Sequence, residues 1–196
     1  MKKLLLLLVA ATPAFAQVTP AAPAGTATGT AGTGTAVGVA GTPAAAKPKP
    51  LGAGDKKFLK DSLEGMYFVM ELAGKSKTSA KLEGTQTESN ALKSDLDKVW
   101  ADLAGFASNV GEKVPSELAG GDKGKAERLG KAGDKFDKEF FKLVNKEVEK
   151  LAKSFESAGK SGQDPEIKKI AMNWGAALKD HVAKLDAAEK EAAKGR

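Results

Sequence analysis

The chain contains no cysteine and only one histidine, His181, among its 196 residues. The lack of cysteine excludes disulfide bonds, thiolate metal ligands and thiol nucleophiles, together with the lipid-carrying cysteine of a bacterial lipoprotein. The single histidine argues against a ferritin-type di-iron oxidase, because that centre uses two Glu-x-x-His pairs and two further glutamates. Leu178 stands three residues before His181, so even this histidine lacks such a partner.

Arginine is nearly as scarce, since the chain contains only Arg128 and Arg196. The other basic residues behind the net charge of +6 are lysines, which are scattered among acids. Nucleic-acid interfaces concentrate basic residues on one face and use arginine forks and stacking aromatics. We therefore predict that the chain does not bind nucleic acid. The G-x-S-x-G elbow and the G-x-x-x-x-G-K-[ST] phosphate loop are also missing, and both absences favour a non-enzymatic protein.

A continuous run of large apolar residues occurs only at the N-terminus. Lys2 and Lys3 precede the apolar stretch 4–11, and Ala14-Phe15-Ala16 resembles a small-residue cleavage site. This pattern predicts a secretory signal peptide over residues 1–16, since the stretch is too short for a bilayer span of roughly 20 residues. We therefore expect an exported protein without a transmembrane span in the mature chain. The expected location is the periplasm or the outer membrane of a Gram-negative-type bacterium.

Residues 17–53 consist almost entirely of Ala, Thr, Gly, Pro and Val, with no charge before Lys47. Such a composition buries too little apolar surface to offset the entropy of ordering. We predict a disordered linker, which could act as a tether for the domain that follows. Spare low-complexity sequence behind a signal peptide is the alternative interpretation.

Residues 54–196 carry apolar residues at alternating steps of three and four, which is the period of amphipathic helices. Long helices are predicted over about 55–76, 88–110, 134–158 and 164–193, with a short helix near 123–129. The four long helices share one periodicity and are joined by polar connections. The predicted fold is therefore an all-α, up-and-down antiparallel four-helix bundle of the ferritin-like type.

Local signals mark two of the helix starts. Asp164-Pro165-Glu166 offers a capping side chain, a proline for the first helical position and an acid for the first turn of the last helix. Thr85, Thr87 and Ser89 compete as caps of the second helix. The apolar face of the last helix comprises Ile167, Ala171, Trp174, Leu178, His181, Leu185, Ala188 and Ala192.

Few side chains near these apolar faces could hold a metal ion. Oxygen ligands with one imidazole would suit a single divalent metal only loosely, and a lone histidine lacks the convergent cluster of a metal site. We therefore expect no cofactor, and a histidine that is bonded to a carboxylate or a main-chain carbonyl or lies near the mouth of the bundle. The candidate ligands for the alternative, a mononuclear metal site, are His181, Glu64, Glu71, Asp95 and Glu147.

Several short motifs recur in the order and spacing of a known family: Phe58-Leu59, Glu64-Gly65, Glu71-Leu72, Val114-Pro115, Phe136-Asp137, Phe155-Glu156 and Ser161-Gly162-Gln163-Asp164-Pro165-Glu166. Over about residues 55–190 the chain resembles a bacterial exported family of unknown function. Its members have a ferritin-like bundle and are commonly labelled outer membrane proteins. The resemblance implies an exported helical domain and leaves the activity open.

Members of that family typically carry an Asp-His pair in the second helix, another in the third and a histidine late in the fourth. The matching positions here are Asp95-Leu96, Glu147-Val148 and Asp180-His181. The first two pairs retain an acidic residue, Asp95 and Glu147, whereas apolar Leu96 and Val148 replace their histidines. If the family site binds a metal or a ligand, the resemblance implies that this chain retains a reduced version of it.

Three functional hypotheses follow. The first is a non-enzymatic binding or stress-associated component of the cell envelope, with an envelope component or a small ligand as partner. The second is a ferritin-like metal-handling protein that uses His181 and nearby carboxylates. The third is an envelope-surface binder whose lysines contact anionic lipid headgroups or polymers, in which case moderate salt should abolish binding.

Overall fold

The computed structural model describes residues 50–194, so the predicted signal peptide and nearly all of the predicted linker lie outside the described residues. The regular structure of residues 50–194 is entirely helical, which confirms the all-α prediction. It comprises α1 (Ala53–Ser79), α2 (Glu83–Val110), α3 (Gly120–Gly130), α4 (Phe136–Ser161) and α5 (Pro165–Lys194), with a 3₁₀ turn at Gly133–Lys135.

Each long helix packs against two other long helices. α1 contacts α2 and α4, and α5 contacts α4 and α2, while the short α3 covers parts of α1 and α4. Edge-to-face contact between Phe58 and Phe155, with ring centroids 5.1 Å apart, joins α1 to α4. The Trp174 indole N–H donates to Asp102 at 2.8 Å and joins α5 to α2. The resulting core is continuous through all five helices.

The predicted apolar faces of α2 and α4 form this core almost as expected, because Leu92, Leu96 and Phe155 are buried with their neighbours at helical spacing. On α1 the buried face is wider than predicted, since Phe68 and Leu72 are also buried. The reason is that α1 packs against α2, α3 and α4. A helix with three partners buries more than a single stripe.

α2 begins at Glu83 rather than near residue 88, and the predicted local caps are wrong. The residue before the helix is Leu82, which makes no side-chain capping bond. Thr85 and Ser89 are instead buried inside the helix, where the Ser89 hydroxyl donates to the Thr85 carbonyl at 2.6 Å. α1 likewise continues past its predicted end near residue 76 to Ser79.

Two buried aspartates hold helix connections that are distant in the sequence. Asp55 in the first turn of α1 is 4% exposed and accepts the backbone N–H groups of Gln163 and Asp164 at 3.1 and 2.7 Å. Asp137 in the first turn of α4 is 5% exposed and accepts those of Lys81 and Leu82 at 3.2 and 3.4 Å. Asp55 therefore binds the connection that precedes α5, and Asp137 binds the connection that precedes α2.

The start of α5 is capped as predicted. The Asp164 carboxylate accepts the backbone N–H groups of Glu166 and Ile167 at 2.9 and 3.2 Å, and Pro165 is the first helical residue. This helix then packs along α4, to which Lys179 adds an ion pair with Glu156 at 2.7 Å. The position of α5 brings its only histidine against α2.

Candidate functional site

The histidine of α5 faces an aspartate of α2 inside the domain. His181 is 3% exposed, and its Nε2 atom lies 3.1 Å from Oδ2 of Asp95. Asp95 is 38% exposed at its side chain and also binds the Lys98 ammonium at 2.7 Å. The Lys98 hydrogen bond, with a smaller contribution from His181, holds the pKa of Asp95 below its ordinary value. An ionised Asp95 therefore orients the imidazole.

The second ring nitrogen of His181 has no partner. Nε2 faces a carboxylate, which favours the tautomer that carries its proton there. Nδ1 is then an acceptor, and it is buried without a hydrogen bond. A buried acceptor without a partner costs free energy, so His181 is held in the core by one polar contact and by packing.

The other candidate ligands lie elsewhere. Glu64 and Glu147 line a shallow cavity of about 340 Å³ between α1 and α4, whereas Glu71 is exposed on α1. Lys150 pairs with Glu147 at 2.8 Å, and Lys60 lies 3.9 Å from Glu64. Within residues 50–194, no group of three or more His, Cys, Asp or Glu side chains is arranged to hold a metal ion. Of the five candidate ligands, the structure therefore places only Asp95 next to His181.

The two positions at which the resembling family carries its other histidines are occupied by Leu96 and Val148. Both are buried, at 1% or less exposed, in the same core that contains His181. An apolar side chain there supplies packing where an imidazole would supply a ligand atom. The interior of this chain is accordingly built for packing at those two positions.

An open groove of about 380 Å³ lies between α1 and the α2–α3 connection, and we call it the α1 groove. Pro115 and Leu118 supply apolar surface, and Leu59, which also lines the groove, is 1% exposed. The Lys56–Glu112 ion pair, 2.7 Å long, crosses from α1 to the connection. The Tyr67 hydroxyl donates to the Ser116 carbonyl at 3.1 Å and fixes the connection on α1.

Sequence reasoning missed the α1 groove because it treated the connection as a polar loop. The available signal was the presence of Val114, Pro115 and Leu118 between glycine-rich segments, since a loop with apolar residues tends to pack against a helix. Val114 and Leu118 are indeed partly buried against the core. The remaining lining residues are Lys60, Glu64, Lys113, Glu117, Ala119 and Gly120.

The second pocket is a cleft of about 490 Å³ between the first turns of α2 and the last turns of α5, which we call the α2–α5 cleft. Thr85 and Glu88 line it from α2, and Ala188 and Ala192 from α5. It lies on the same interface as the His181–Asp95 pair, because Glu88 stands two helical turns before Asp95. No residue of this cleft was a candidate from the sequence.

Comparison with known proteins gives a family and no characterised relative. None of the curated proteins and none of the solved structures matches the chain. Over residues 50–194, no helix has an apolar stretch long enough to cross a membrane. A family model covers most of the chain, from residue 40 to residue 188. This match confirms the resemblance to a family of unknown function, and the chain belongs to the family described as "Domain of unknown function (DUF4142)".

Proposed function

We propose that this protein is an exported, non-enzymatic helical bundle that binds a ligand of the cell envelope in the α1 groove. The connections between α1 and α2 and between α4 and α5 are only three residues long, and short connections are typical of antiparallel neighbours. Together with the cyclic packing of α1, α2, α5 and α4, they favour the up-and-down four-helix bundle of ferritin-like proteins.

The proposed binding role is based on the α1 groove. Its volume of about 380 Å³ lies within the range of small-molecule sites. Apolar Pro115 and Leu118 and charged Lys113 and Glu117 all line the groove, so it offers packing to an apolar body and charged groups to polar ends. An amphipathic envelope molecule with both kinds of group fits this chemistry.

Catalysis at His181 is less well supported than binding at the α1 groove. The imidazole is 3% exposed, whereas a general base must reach its substrate directly or through one water. The metal-handling alternative would need ligands besides Asp95, and Glu64, Glu71 and Glu147 belong to other helix faces. Metal analysis of protein isolated from the exported fraction tests that alternative, because near-stoichiometric metal that is lost in His181→Ala would favour it.

Two glycines of α3 allow a matched test of the α1 groove. Gly120 lines the groove and Gly121 does not, and a β-carbon at either position meets no atom within 4 Å. Native mass spectrometry of protein purified from the exported fraction should show a bound small molecule. We expect Gly120→Trp to lose it and Gly121→Trp to keep it. A ligand retained by Gly120→Trp, or no ligand in the parent protein, would refute the proposal.

Export has its own test. Mass determination of protein from the periplasmic and outer-membrane fractions should give a mature chain that begins at Gln17. The residues between Gln17 and α1 would then tether the helical bundle to the site of export or to an envelope surface. Protein that retains Met1 and stays with the cytoplasmic fraction would contradict both the signal peptide and the envelope role.

A further inference from the structure

The α2–α5 cleft has a chemical character that differs from that of the α1 groove. Its walls include Leu82, which is 40% exposed, together with Phe141, Ala188 and Ala192. Leu82, Ala188 and Ala192 provide apolar surface around a volume of about 490 Å³, whereas Phe141 is only 1% exposed. Such a surface accommodates a compact hydrocarbon or aromatic group.

The charged residues that line this cleft, within the described part of the chain, are all acids: Glu83, Glu88 and Glu191. This is unusual in a protein with a net charge of +6, and the α1 groove contains three lysines. The C-terminal end of α5 lies at the cleft with its partial negative charge, and Glu83 in the first turn of α2 offsets the positive end of that helix. The local field therefore favours a cation.

Two polar atoms in the cleft are buried without a partner. Thr85 is fully buried and its Oγ1 atom makes no hydrogen bond, and the Oε2 atom of Glu88 is likewise buried and unpaired. Both atoms can accept a hydrogen bond, and a buried acceptor that has lost water and gained no donor is costly. Their positions on successive turns of α2 indicate the place for a donor group.

A lysine of α5 whose charge interacts with Glu88 does not supply that donor. Lys184 of α5 feels the charge of Glu88, but its ammonium binds Asp180 at 2.6 Å. The Asp180 hydrogen bond is the main cause of the raised pKa of Lys184, and Glu88 contributes less. Glu88 therefore has a nearby charge and no hydrogen bond from it.

We propose that the α2–α5 cleft binds a small primary amine in its ammonium form, with a compact apolar body. The ammonium donates to Glu88 Oε2 and Thr85 Oγ1, and the body packs against Leu82, Ala188 and Ala192. This site is separate from the α1 groove, since the two are lined by different residues. If binding at one of the two sites is refuted, the other proposal is still tested by the variants designed for its own site.

Isothermal titration of the mature chain with 2-phenylethylammonium tests this proposal, and 2-phenylethanol serves as the uncharged probe of similar shape. We expect saturable binding of the ammonium and none of the alcohol. Glu88→Gln should weaken ammonium binding about tenfold, as expected for loss of a hydrogen bond to a charged group. Glu149→Gln, on the exposed face of α4, is the matched control and should leave affinity unchanged.

Ala192→Trp narrows the cleft from α5 and should abolish binding while circular dichroism shows an unchanged fold. It provides a second readout if Glu88→Gln perturbs the helix. Equal binding of the alcohol would overturn the assignment of a cation site. Unchanged affinity in both Glu88→Gln and Ala192→Trp, or no saturable binding of the ammonium, would overturn the site itself.

Discussion

Replacement of Asp55 by alanine should destabilise the whole helical domain, although Asp55 lies in the first turn of α1. The substitution removes the acceptor of the Gln163 and Asp164 backbone N–H groups. A hydrogen bond to a charged group contributes about 1.5–3 kcal/mol, and the lower value applies to each bond here because Gln163 is exposed and Asp164 only partly buried. For two donors we expect a loss of about 3 kcal/mol in the free energy of unfolding, a large part of the roughly 5–15 kcal/mol typical of a domain.

Urea titration followed by far-ultraviolet circular dichroism measures this loss, and the fluorescence of Trp100 and Trp174 provides an independent probe. In thermal unfolding, the same change corresponds to about 6–12 °C for a domain of this size. Asp55→Asn retains an oxygen acceptor and should lose less. Agreement of the two probes would show that the loss concerns the whole domain and not only the α4–α5 connection.

Asp61→Ala is the control, because Asp61 lies on the same helix and makes only an exposed ion pair with Lys57. Its effect should be close to the error of the measurement. If Asp55→Ala changed stability no more than Asp61→Ala, the buried carboxylate would not hold the start of α5. The reasoning that bonds from distant residues stabilise the helix connections would then be wrong.

Three further predictions concern other polar contacts. Asp137→Ala should also destabilise the domain, but less than Asp55→Ala, because its bonds to Lys81 and Leu82 are longer; urea midpoints of the two variants decide the order. His181→Ala should cost about 2–4 kcal/mol through the cavity it leaves, whereas His181→Leu should cost much less; equal losses would show that the Asp95 bond dominates. Lys160 and Lys179 lower the pKa of Glu156 to about 2 from an ordinary 4.5. Its stabilising effect is present above about pH 4.5 and is lost as the pH falls towards 2, so the advantage of the parent protein over Glu156→Gln in urea titrations should disappear over that interval.

Much of the fold could be predicted because its determinants are local. The spacing of Val144, Val148 and Leu151 defines the buried face of α4 without knowledge of any partner. The Asp164 cap and Pro165 define the start of α5 for the same reason, since the capped N–H groups follow within three residues. Both features were predicted from short windows of sequence and are present in the structure.

The start of α2 could not be predicted in this way. Its connection is bound by Asp137, which lies more than fifty residues away in the chain, so no local pattern contains the information. Thr85 was predicted to be a cap, but the helix already begins at Glu83, so Thr85 lies within its first turn and is buried. The burial of Phe68 depends similarly on α3, whose Lys125 ammonium lies 5.3 Å from the Phe68 ring centroid.

The candidate site shows the same division. The position of His181 on an apolar helix face left a carboxylate, a main-chain carbonyl or the mouth of the bundle as its expected surroundings, and the structure shows the first, with Asp95 as the carboxylate. The separation of Glu64, Glu71 and Glu147 from it depends on how the helices are rotated about their axes. The α1 groove and the α2–α5 cleft depend on residues from two or three elements, so they become visible only after packing.

The reciprocal contacts of Asp55 and Asp137 have a consequence for dissection of the chain. A fragment with α1 and α2 alone would lose the acceptor for its own connection, and so would a fragment with α4 and α5 alone. We therefore expect neither half to fold independently. Two fragments produced by cleavage within residues 112–118 should instead be unstructured when separate and recover helicity on mixing, because each half completes the other's backbone hydrogen bonds.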